Sequence, residues 1–320
     1  MGFVSGSADK NLAYWPVHGN QELKKGANQV YMKGHSGAIK QVKRIGEKRV
    51  ASSSVDGTIR YWNFLTGKQT LSLTDHTGEV TTIENNDKYL CSYSPEDRQI
   101  FVRDLPTGVV QTYVEEAQIE GGGPARPLVT AALNSIKFIS EETFLASEFK
   151  AIRLYDIRKR NQRDRVSEAA ATISHKIMST ASKIHFHENS HTVIAFFRGG
   201  NAIQTYDLRT CKPVSSFEMH ALPINAFCTS TNQLSGVAVT SGMTMSKQKE
   251  IAFVDAVCDP PGEVNRVIPG IKTFVTRMDC NEGLVACGNK GGDMRVLGFH
   301  YFKSELKTAP ASSKIMGTLY

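Results

Sequence analysis

The chain has 320 residues, of which 40% are hydrophobic and 22% are charged, and its formal net charge at pH 7 is +7. It contains no run of about 18 apolar residues, and it begins with neither a basic region nor an apolar signal-peptide core. We therefore expect an intracellular protein, in the cytoplasm or the nucleus, that does not insert into a membrane. The six cysteines show no CxxC and no short Cys/His spacing, which favours buried thiols over a zinc site or a disulfide framework.

Short alternating strands separated by turns recur along the chain with a cadence of about 40 to 50 residues. After predicted strands at residues 3–7, 11–17 and 28–33, the clearest unit occupies residues 34–67. It runs from a Gly-His turn through two alternating strands, a Val55-Asp56-Gly57 turn and a strand containing Tyr61-Trp62 to a Thr-Gly turn. Four short strands in a repeat of this length are typical of a radial propeller.

The unit at residues 34–67 resembles a blade of the WD-repeat β-propeller family. The same frame returns in weaker form at residues 75–104, 144–158, 193–209 and 251–255. With the strands of a blade named a to d from the axis outward, the first blade lacks strand a. Six further blades follow at about residues 38–75, 79–118, 128–175, 176–220, 224–270 and 271–308. We therefore predict an all-β, seven-bladed WD-repeat β-propeller that forms a single domain over residues 1–320.

The C-terminus can supply the strand that the first blade lacks. An open propeller would expose two strand edges with unpaired backbone N–H and C=O groups, which are a template for aggregation. Residues 314–320 can form one strand. We therefore expect this segment to close the ring beside residues 3–7.

The resemblance implies a hydrogen-bonded chain within a blade, formed by a histidine of the d–a turn, a serine or threonine of strand b, an aspartate of the b–c turn and a tryptophan of strand c. The matching residues are His35, Ser52 (or Ser54), Asp56 and Trp62 in the second blade, and His76 and Asp97 in the third. Arg103 stands at the tryptophan position of the third blade, with Tyr155, Tyr206 and Val254 in the next three. Because a buried cation needs a partner, we expect Arg103 to reach solvent or a carboxylate.

Catalytic motifs do not occur in the sequence. There is no GxSxG, HExxH, phosphate-binding GxxxxGK[ST] or suitably placed GxGxxG pattern. The glycine runs at 121–123 and 288–292 fit tight turns, where glycine supplies positive φ. We therefore predict no catalytic residue, no cofactor and no metal site, and a protein that is not an enzyme.

Two irregular stretches are candidate partner-binding sites. The first lies in the predicted c–d loop of the fourth blade and could contact an acidic protein, an RNA backbone or an import receptor, or remain solvated. Its five cations are Arg158, Lys159, Arg160, Arg163 and Arg165. The second, at 234–250, is a predicted long b–c insertion of the sixth blade with Met243 and Met245. Exposed methionine adapts to varied apolar partners, although a loop without a partner is an equal alternative.

These features predict a non-enzymatic scaffold that docks other proteins, as a subunit of a larger complex. One alternative is a substrate receptor of a cullin ubiquitin ligase, whose adaptor box is similar to Tyr155-Asp156-Ile157-Arg158 and Tyr206-Asp207-Leu208-Arg209. The other is a ribosome-associated scaffold similar to the receptor for activated C kinase. That family has the same length, basic balance and blade number, and residues 7–10 match its basic first-blade turn in part.

Overall fold

The structure of the protein is a computed structural model that describes most of the chain. The described ranges are residues 2–16, 29–115, 133–148, 150–160, 167–175, 181–197, 202–218, 226–229, 237–243, 249–255, 263–269, 275–281, 284–289 and 294–298. Within these ranges the regular structure is entirely β-strand, and no helix there could cross a membrane. The chain divides into two compact units, Met1–Ala181 and Ser182–Tyr320, each described by itself below.

The first unit contains four antiparallel sheets that follow one another along the chain. Sheet 1 has β1 (Gly2–Gly6), β2 (Leu12–Pro16) and β3 (Val30–Met32). Sheet 2 has β4 (Ile39–Arg44), β5 (Arg49–Ser54), β6 (Ile59–Asn63) and β7 (Lys68–Leu73). Sheet 3 has β8 (Thr82–Asn85), β9 (Tyr89–Ser94), β10 (Gln99–Asp104) and β11 (Val110–Glu115). Sheet 4 has β12 (Ile136–Phe138), β13 (Thr143–Glu148), β14 (Ala151–Arg160) and β15 (Ser167–Ser174).

The second unit contains three antiparallel sheets among its described residues. Sheet 5 has β16 (Ala181–His187), β17 (Thr192–Phe197), β18 (Ala202–Asp207) and β19 (Lys212–Glu218). Sheet 6 has β20 (Ala226–Thr229), β21 (Val237–Met243), β22 (Lys249–Asp255) and β23 (Glu263–Pro269). Sheet 7 has β24 (Val275–Asn281), β25 (Leu284–Asn289) and β26 (Met294–Gly298).

Both faces of sheet 2 are buried within the first unit. Successive strand residues point to opposite faces, so Trp62 joins a cluster with Leu12 and Met32 of sheet 1. Its neighbour Tyr61 joins a cluster with Leu90 of sheet 3. A third cluster lies between sheets 3 and 4. Burial on both faces explains why the second strands β5, β9 and β13 are buried over five consecutive residues.

Sheets 2 to 6 share one irregularity at the same place. In each, the pairing of the third and fourth strands shifts by a bulge just before one residue of the third strand. That residue is Trp62 in sheet 2, and in the following sheets it is Arg103, Tyr155, Tyr206 and Val254. These are the residues that the sequence aligned at the tryptophan position, so the repeat frame continues where the motif itself has decayed.

The first strands β4, β8 and β12 lie side by side in the first unit. Glu84 of β8 is buried between Lys43 of β4, which it contacts, and Lys137 of β12, whose Nζ lies 3.3 Å from Glu84 Oε1. Burial alone would raise the pKa of Glu84, but the two lysines outweigh it and hold the pKa below its ordinary value. One carboxylate therefore bridges three consecutive sheets.

The predicted closing strand at residues 314–320 lies outside the described residues, and so does the end of the predicted seventh blade. Sheets 1 and 7 each have three strands within the described ranges. The single domain and the closed ring therefore stay predictions.

Candidate functional site

The polar residues of the clearest repeat form a buried chain of hydrogen bonds in sheet 2. The Nε1–H of Trp62 donates to Ser52 Oγ at 2.8 Å. Ser52 Oγ lies 2.8 Å from His35 Nε2, and His35 Nδ1 lies 2.8 Å from Asp56 Oδ2. The chain joins β5 and β6 to the turn before β4 and to the turn between β5 and β6. It therefore fixes the register of the sheet with buried polar groups that satisfy one another.

All protons of this chain are accounted for when His35 is neutral. Its Nδ1–H then donates to Asp56, its Nε2 accepts from the Ser52 hydroxyl, and the Ser52 oxygen accepts from Trp62. Burial lowers the pKa of His35 below its ordinary 6.5, and Asp56 offsets only part of this effect. Burial alone would raise the pKa of Asp56, but hydrogen bonds from Thr58 and His35 outweigh it and hold the pKa below 3.8.

The arrangement is repeated in part in sheet 3. His76 Nε2 lies 2.8 Å from Ser92 Oγ, and His76 Nδ1 contacts the carboxylate of Asp97. The imidazole stacks on Phe101 with ring centroids 4.5 Å apart, and burial lowers its pKa. His35 and His76 are each 7% exposed. Because both nitrogens of both rings are engaged inside the fold, these histidines fit a structural role.

Arg103 occupies in sheet 3 the place that Trp62 has in sheet 2. Its side chain is 0% exposed, and its Nη1 donates to the carboxylate of Asp75, whose side chain is 53% exposed. The guanidinium also lies 5.0 Å from the centroid of the Phe101 ring. Its Nε and Nη2 make no hydrogen bond within the described part of the chain. Arg103 thus reaches a carboxylate but not solvent.

Two Tyr-Asp-x-Arg sequences each present an exposed arginine that is held by its own aspartate. In the first, Arg158 Nε lies 2.9 Å from Asp156 Oδ1 and Nη2 lies 2.8 Å from Oδ2. In the second, both equivalent distances from Arg209 are 3.2 Å. The two arginine side chains are 69% and 66% exposed, whereas both tyrosines are buried. Each box therefore offers a partner an oriented guanidinium and not an aromatic ring.

The predicted basic loop at residues 158–165 begins inside a strand, which corrects the prediction. β14 extends to Arg160, which pairs with Ser167 of β15 beyond an irregular stretch of the ladder. Because ladder bonds use backbone groups, a charged sequence can continue a strand. Arg158 and Lys159 are exposed. Arg163 and Arg165 lie outside the described residues.

The predicted insertion at residues 234–250 is also shorter than expected. Met243 is the last residue of β21 and pairs with Lys249 at the start of β22. Only residues 244–248 separate the two strands, and Met245 lies among them, outside the described residues. The small polar residues of β21 were interpreted as a loop, although backbone pairing extends through them.

Sequence reasoning missed an unusual feature of the turns between the second and third strands of the repeat, here called the b–c turns. In sheet 2 this turn contains Gly57 with φ of +78°. The corresponding residues of sheets 1, 3 and 4 are Lys10, Arg98 and Lys150, with φ of 72°, 56° and 60°. Left-handed backbone costs a residue with a Cβ about 1–2 kcal/mol. The signal in the sequence was the alignment of SADK, PEDR and EFK with SVDG.

Metal chemistry has no visible centre in the described residues, since no group of three or more His, Cys, Asp or Glu side chains there could hold an ion. The described free cysteines are Cys91, Cys228 and Cys287, which are buried, and Cys211, which is half-buried. What the site offers chemically is therefore hydrogen-bonded structure inside the sheets and charged groups at the turns.

Comparison with known proteins identifies the repeat. The family described as "WD40: WD domain, G-beta repeat" matches residues 27–63, so the chain carries a WD repeat there and the resemblance to that family is confirmed. No curated protein matches the chain in sequence. Among solved structures, the crystal structure of the computationally designed Ika8 protein matches with a TM-score of 0.63 and 22% identity, covering 92% of this chain and 80% of that chain. This similarity shows a shared fold alone. WD repeats in general serve protein–protein interaction, which is the class this chain enters.

Proposed function

We propose that the protein is a non-enzymatic scaffold that docks protein partners as a subunit of a larger complex, in the cytoplasm or the nucleus. Its framework would be a single seven-bladed ring, closed by residues 314–320 in the first blade. The seven successive sheets among the described residues support this framework. Sheet 1, with three described strands, leaves a place for the closing strand.

The observation that carries the proposal is the division between buried and exposed polar groups. His35, Asp56 and His76 are engaged within the sheets, whereas the turns around them carry exposed charged residues. Mobile or variable loops on a rigid scaffold are where proteins place their binding residues. A rigid frame with polar turns at both edges supports docking better than chemistry.

The test is affinity purification of the tagged full chain followed by mass spectrometry, with co-sedimentation of the partners on a density gradient. We expect stoichiometric partners that sediment together with the chain at physiological salt. A chain that sediments as a free monomer, without stoichiometric partners, would contradict the proposal. The identity of the partners also separates the alternatives, because a cullin adaptor, ribosomal proteins and another set of subunits are readily distinguished.

A second candidate function, substrate receptor of a cullin ubiquitin ligase, is favoured by one specific observation. Both Tyr-Asp-x-Arg boxes expose an arginine that a bidentate aspartate holds in place. We expect Arg158→Ala combined with Arg209→Ala to abolish capture of the adaptor and to leave the fold intact, because both side chains are exposed. Lys159→Ala is the matched control, since Lys159 is an exposed cation adjacent to Arg158. Equal capture by the double variant and the control would exclude the boxes.

The basic stretch at residues 158–165 is a further proposed contact for an acidic protein, an RNA backbone or an import receptor. Serine at all five cationic positions should reduce partner capture, and wild-type binding should weaken as salt shortens the Debye length below about 8 Å. If capture is unchanged at low and high salt, the loop at 244–248 with Met245 becomes the better candidate.

A further inference from the structure

The b–c turns of sheets 1 to 4 lie along one edge of the first unit. The Ile39 N–H at the start of sheet 2 donates to Ser7 O in the turn of sheet 1, at 3.1 Å. In the same way, the Val80 N–H before sheet 3 donates to Ser54 O in the turn of sheet 2, at 3.0 Å. Thr82 Oγ1 of sheet 3 donates to the carbonyl of Asn134 before sheet 4, at 3.3 Å. Each turn is thus tied to the beginning of the next sheet.

Three of these four turns place a cation where the fourth has glycine. The backbone is equivalent, since Lys10 N–H donates to Ser7 O and Gly57 N–H to Ser54 O, both at 3.3 Å. Among non-glycine residues, asparagine and aspartate tolerate this left-handed conformation best. Lysine and arginine have no such advantage. Lys10, Arg98 and Lys150 therefore occupy these positions against local backbone preference, and strained positions of this kind concentrate at functional sites.

The charges of these turns are sorted. Lys10, Arg98 and Lys150 are exposed. The acidic residues beside them are used locally: Asp9 Oδ1 accepts the Asn11 N–H at 3.0 Å, and Glu96 Oε2 accepts the Ser94 hydroxyl at 2.9 Å. Between the cations of sheets 1 and 3, the turn of sheet 2 exposes an apolar side chain, Val55, at 43%. The edge therefore presents cation, apolar residue, cation and cation in successive sheets.

We propose that this edge, defined by Lys10, Val55, Arg98 and Lys150, is a docking surface for an acidic polypeptide segment with an apolar residue among its carboxylates. The inference rests on the proposed docking function and names the partner chemistry. A nucleic-acid backbone fits less well, because duplex DNA carries one charge per about 1.7 Å, whereas Asp9 and Glu96 lie exposed among the cations. A peptide extends about 3.3–3.6 Å per residue and can place carboxylates only where cations meet them.

The strain itself supplies the experiment, since glycine at these positions removes the charge and suits the backbone. The purified full chain is titrated with a fluorescent peptide in which glutamates flank a leucine, and binding is read by anisotropy. The variant Lys10→Gly, Arg98→Gly, Lys150→Gly should keep or raise the melting temperature. Its affinity should fall at least about fivefold, since exposed ion pairs contribute little singly but three act together. Asparagine at the same three positions should weaken binding equally, which attributes the effect to charge.

The controls are matched in charge and in probe. Serine at Lys48, Arg49 and Lys68, exposed cations at other turns of sheet 2, removes the same charge and should leave binding unchanged. A glutamine peptide should not bind, and a leucine-to-alanine peptide should bind more weakly. Wild-type affinity for the glutamate peptide should fall between about 0.1 M and 1 M salt, where the Debye length shortens from about 10 to 3 Å.

Three results would overturn the inference. They are no binding of the glutamate peptide to the wild-type chain, undiminished binding by the glycine variant, and tighter binding of a single-stranded RNA that the same variant abolishes. If the glycine variant still captures stoichiometric partners, the docking function stands on another surface. If the wild-type chain captures none, the docking function fails by itself.

Discussion

Replacing Trp62 and Arg103, which hold equivalent places in sheets 2 and 3, should have opposite consequences for stability. Trp62 is 0% exposed, packs with Leu12 and Met32, and donates a hydrogen bond to Ser52. A buried aromatic side chain removes about 150–250 Å² from water, which at about 25 cal/mol per Å² amounts to about 4–6 kcal/mol. Measured truncations of large aromatic residues to alanine cost about 3–5 kcal/mol. We expect Trp62→Ala to fall in that range.

Arg103 is equally buried, but its substitution should cost far less. Burial removes the guanidinium from water while only Nη1 gains a carboxylate partner. Replacing a buried ion pair by apolar side chains is often neutral or stabilising by about 1–4 kcal/mol. Asp75 is 53% exposed on its side chain, so water can replace the lost partner. We therefore expect Arg103→Leu to change the free energy of unfolding by less than about 1 kcal/mol, in either direction.

Urea unfolding monitored by circular dichroism measures both variants. A change in midpoint with an unchanged slope reports stability, whereas a changed slope reports altered cooperativity. Native-state hydrogen exchange of β6 and β10 locates the effect. Similar losses for Trp62→Ala and Arg103→Leu would show that Arg103 contributes as much as an aromatic core residue, and the equivalence drawn between the two sheets would then be wrong in energetic terms.

Three further predictions address the turns, the titration and the ring. Gly57→Ala should destabilise by about 1–2 kcal/mol, because φ is +78° and a Cβ would lie 3.1 Å from a carbonyl oxygen of the next sheet; Arg98→Gly, its reverse, should not lower the melting temperature. Since burial lowers the pKa of His35, the unfolded chain binds more protons below pH 6.5; stability should therefore fall on acidification at no more than about 1.4 kcal/mol per pH unit from this residue, and His35→Gln should flatten that slope. The depressed pKa of Asp56 adds stability present above about pH 4 and lost below it, so Asp56→Asn should reduce only the acid limb. Deleting residues 311–320 should lower the melting temperature and promote oligomers, whereas a deletion variant that melts unchanged as a monomer would contradict ring closure.

The repeat frame could be predicted because glycine, histidine, aspartate and tryptophan stand at fixed spacing in residues 34–62. The same spacing placed Arg103 and Tyr155 at the position after the bulge, although neither preserves the motif. Periodicity survives substitution here because both faces of the sheets are buried and demand alternating side chains of the right size.

The extent of the strands could not be predicted from composition. β14 continues into Arg160 and β21 into Met243, because ladder hydrogen bonds need only backbone groups, while charged and small residues favour a loop in any propensity scale. The buried partner of Arg103 was likewise visible only in three dimensions, since Asp75 belongs to the turn before sheet 3. Backbone φ at Lys10 has no signature in one turn alone and becomes legible only when four turns are aligned.

The shared carboxylate of Glu84 has a consequence for how the first unit comes apart. In most repeat proteins each repeat touches only its neighbours, so stability is a sum of nearest-neighbour terms and the ends can fray independently. Lys43 and Lys137 belong to sheets 2 and 4, and neither has its carboxylate partner unless sheet 3 is in place. Loss of sheet 3 would strand a lysine on each side, and loss of either outer sheet would leave Glu84 buried with half of its compensation. The three sheets therefore open as one cooperative block, and their amide protons should exchange together.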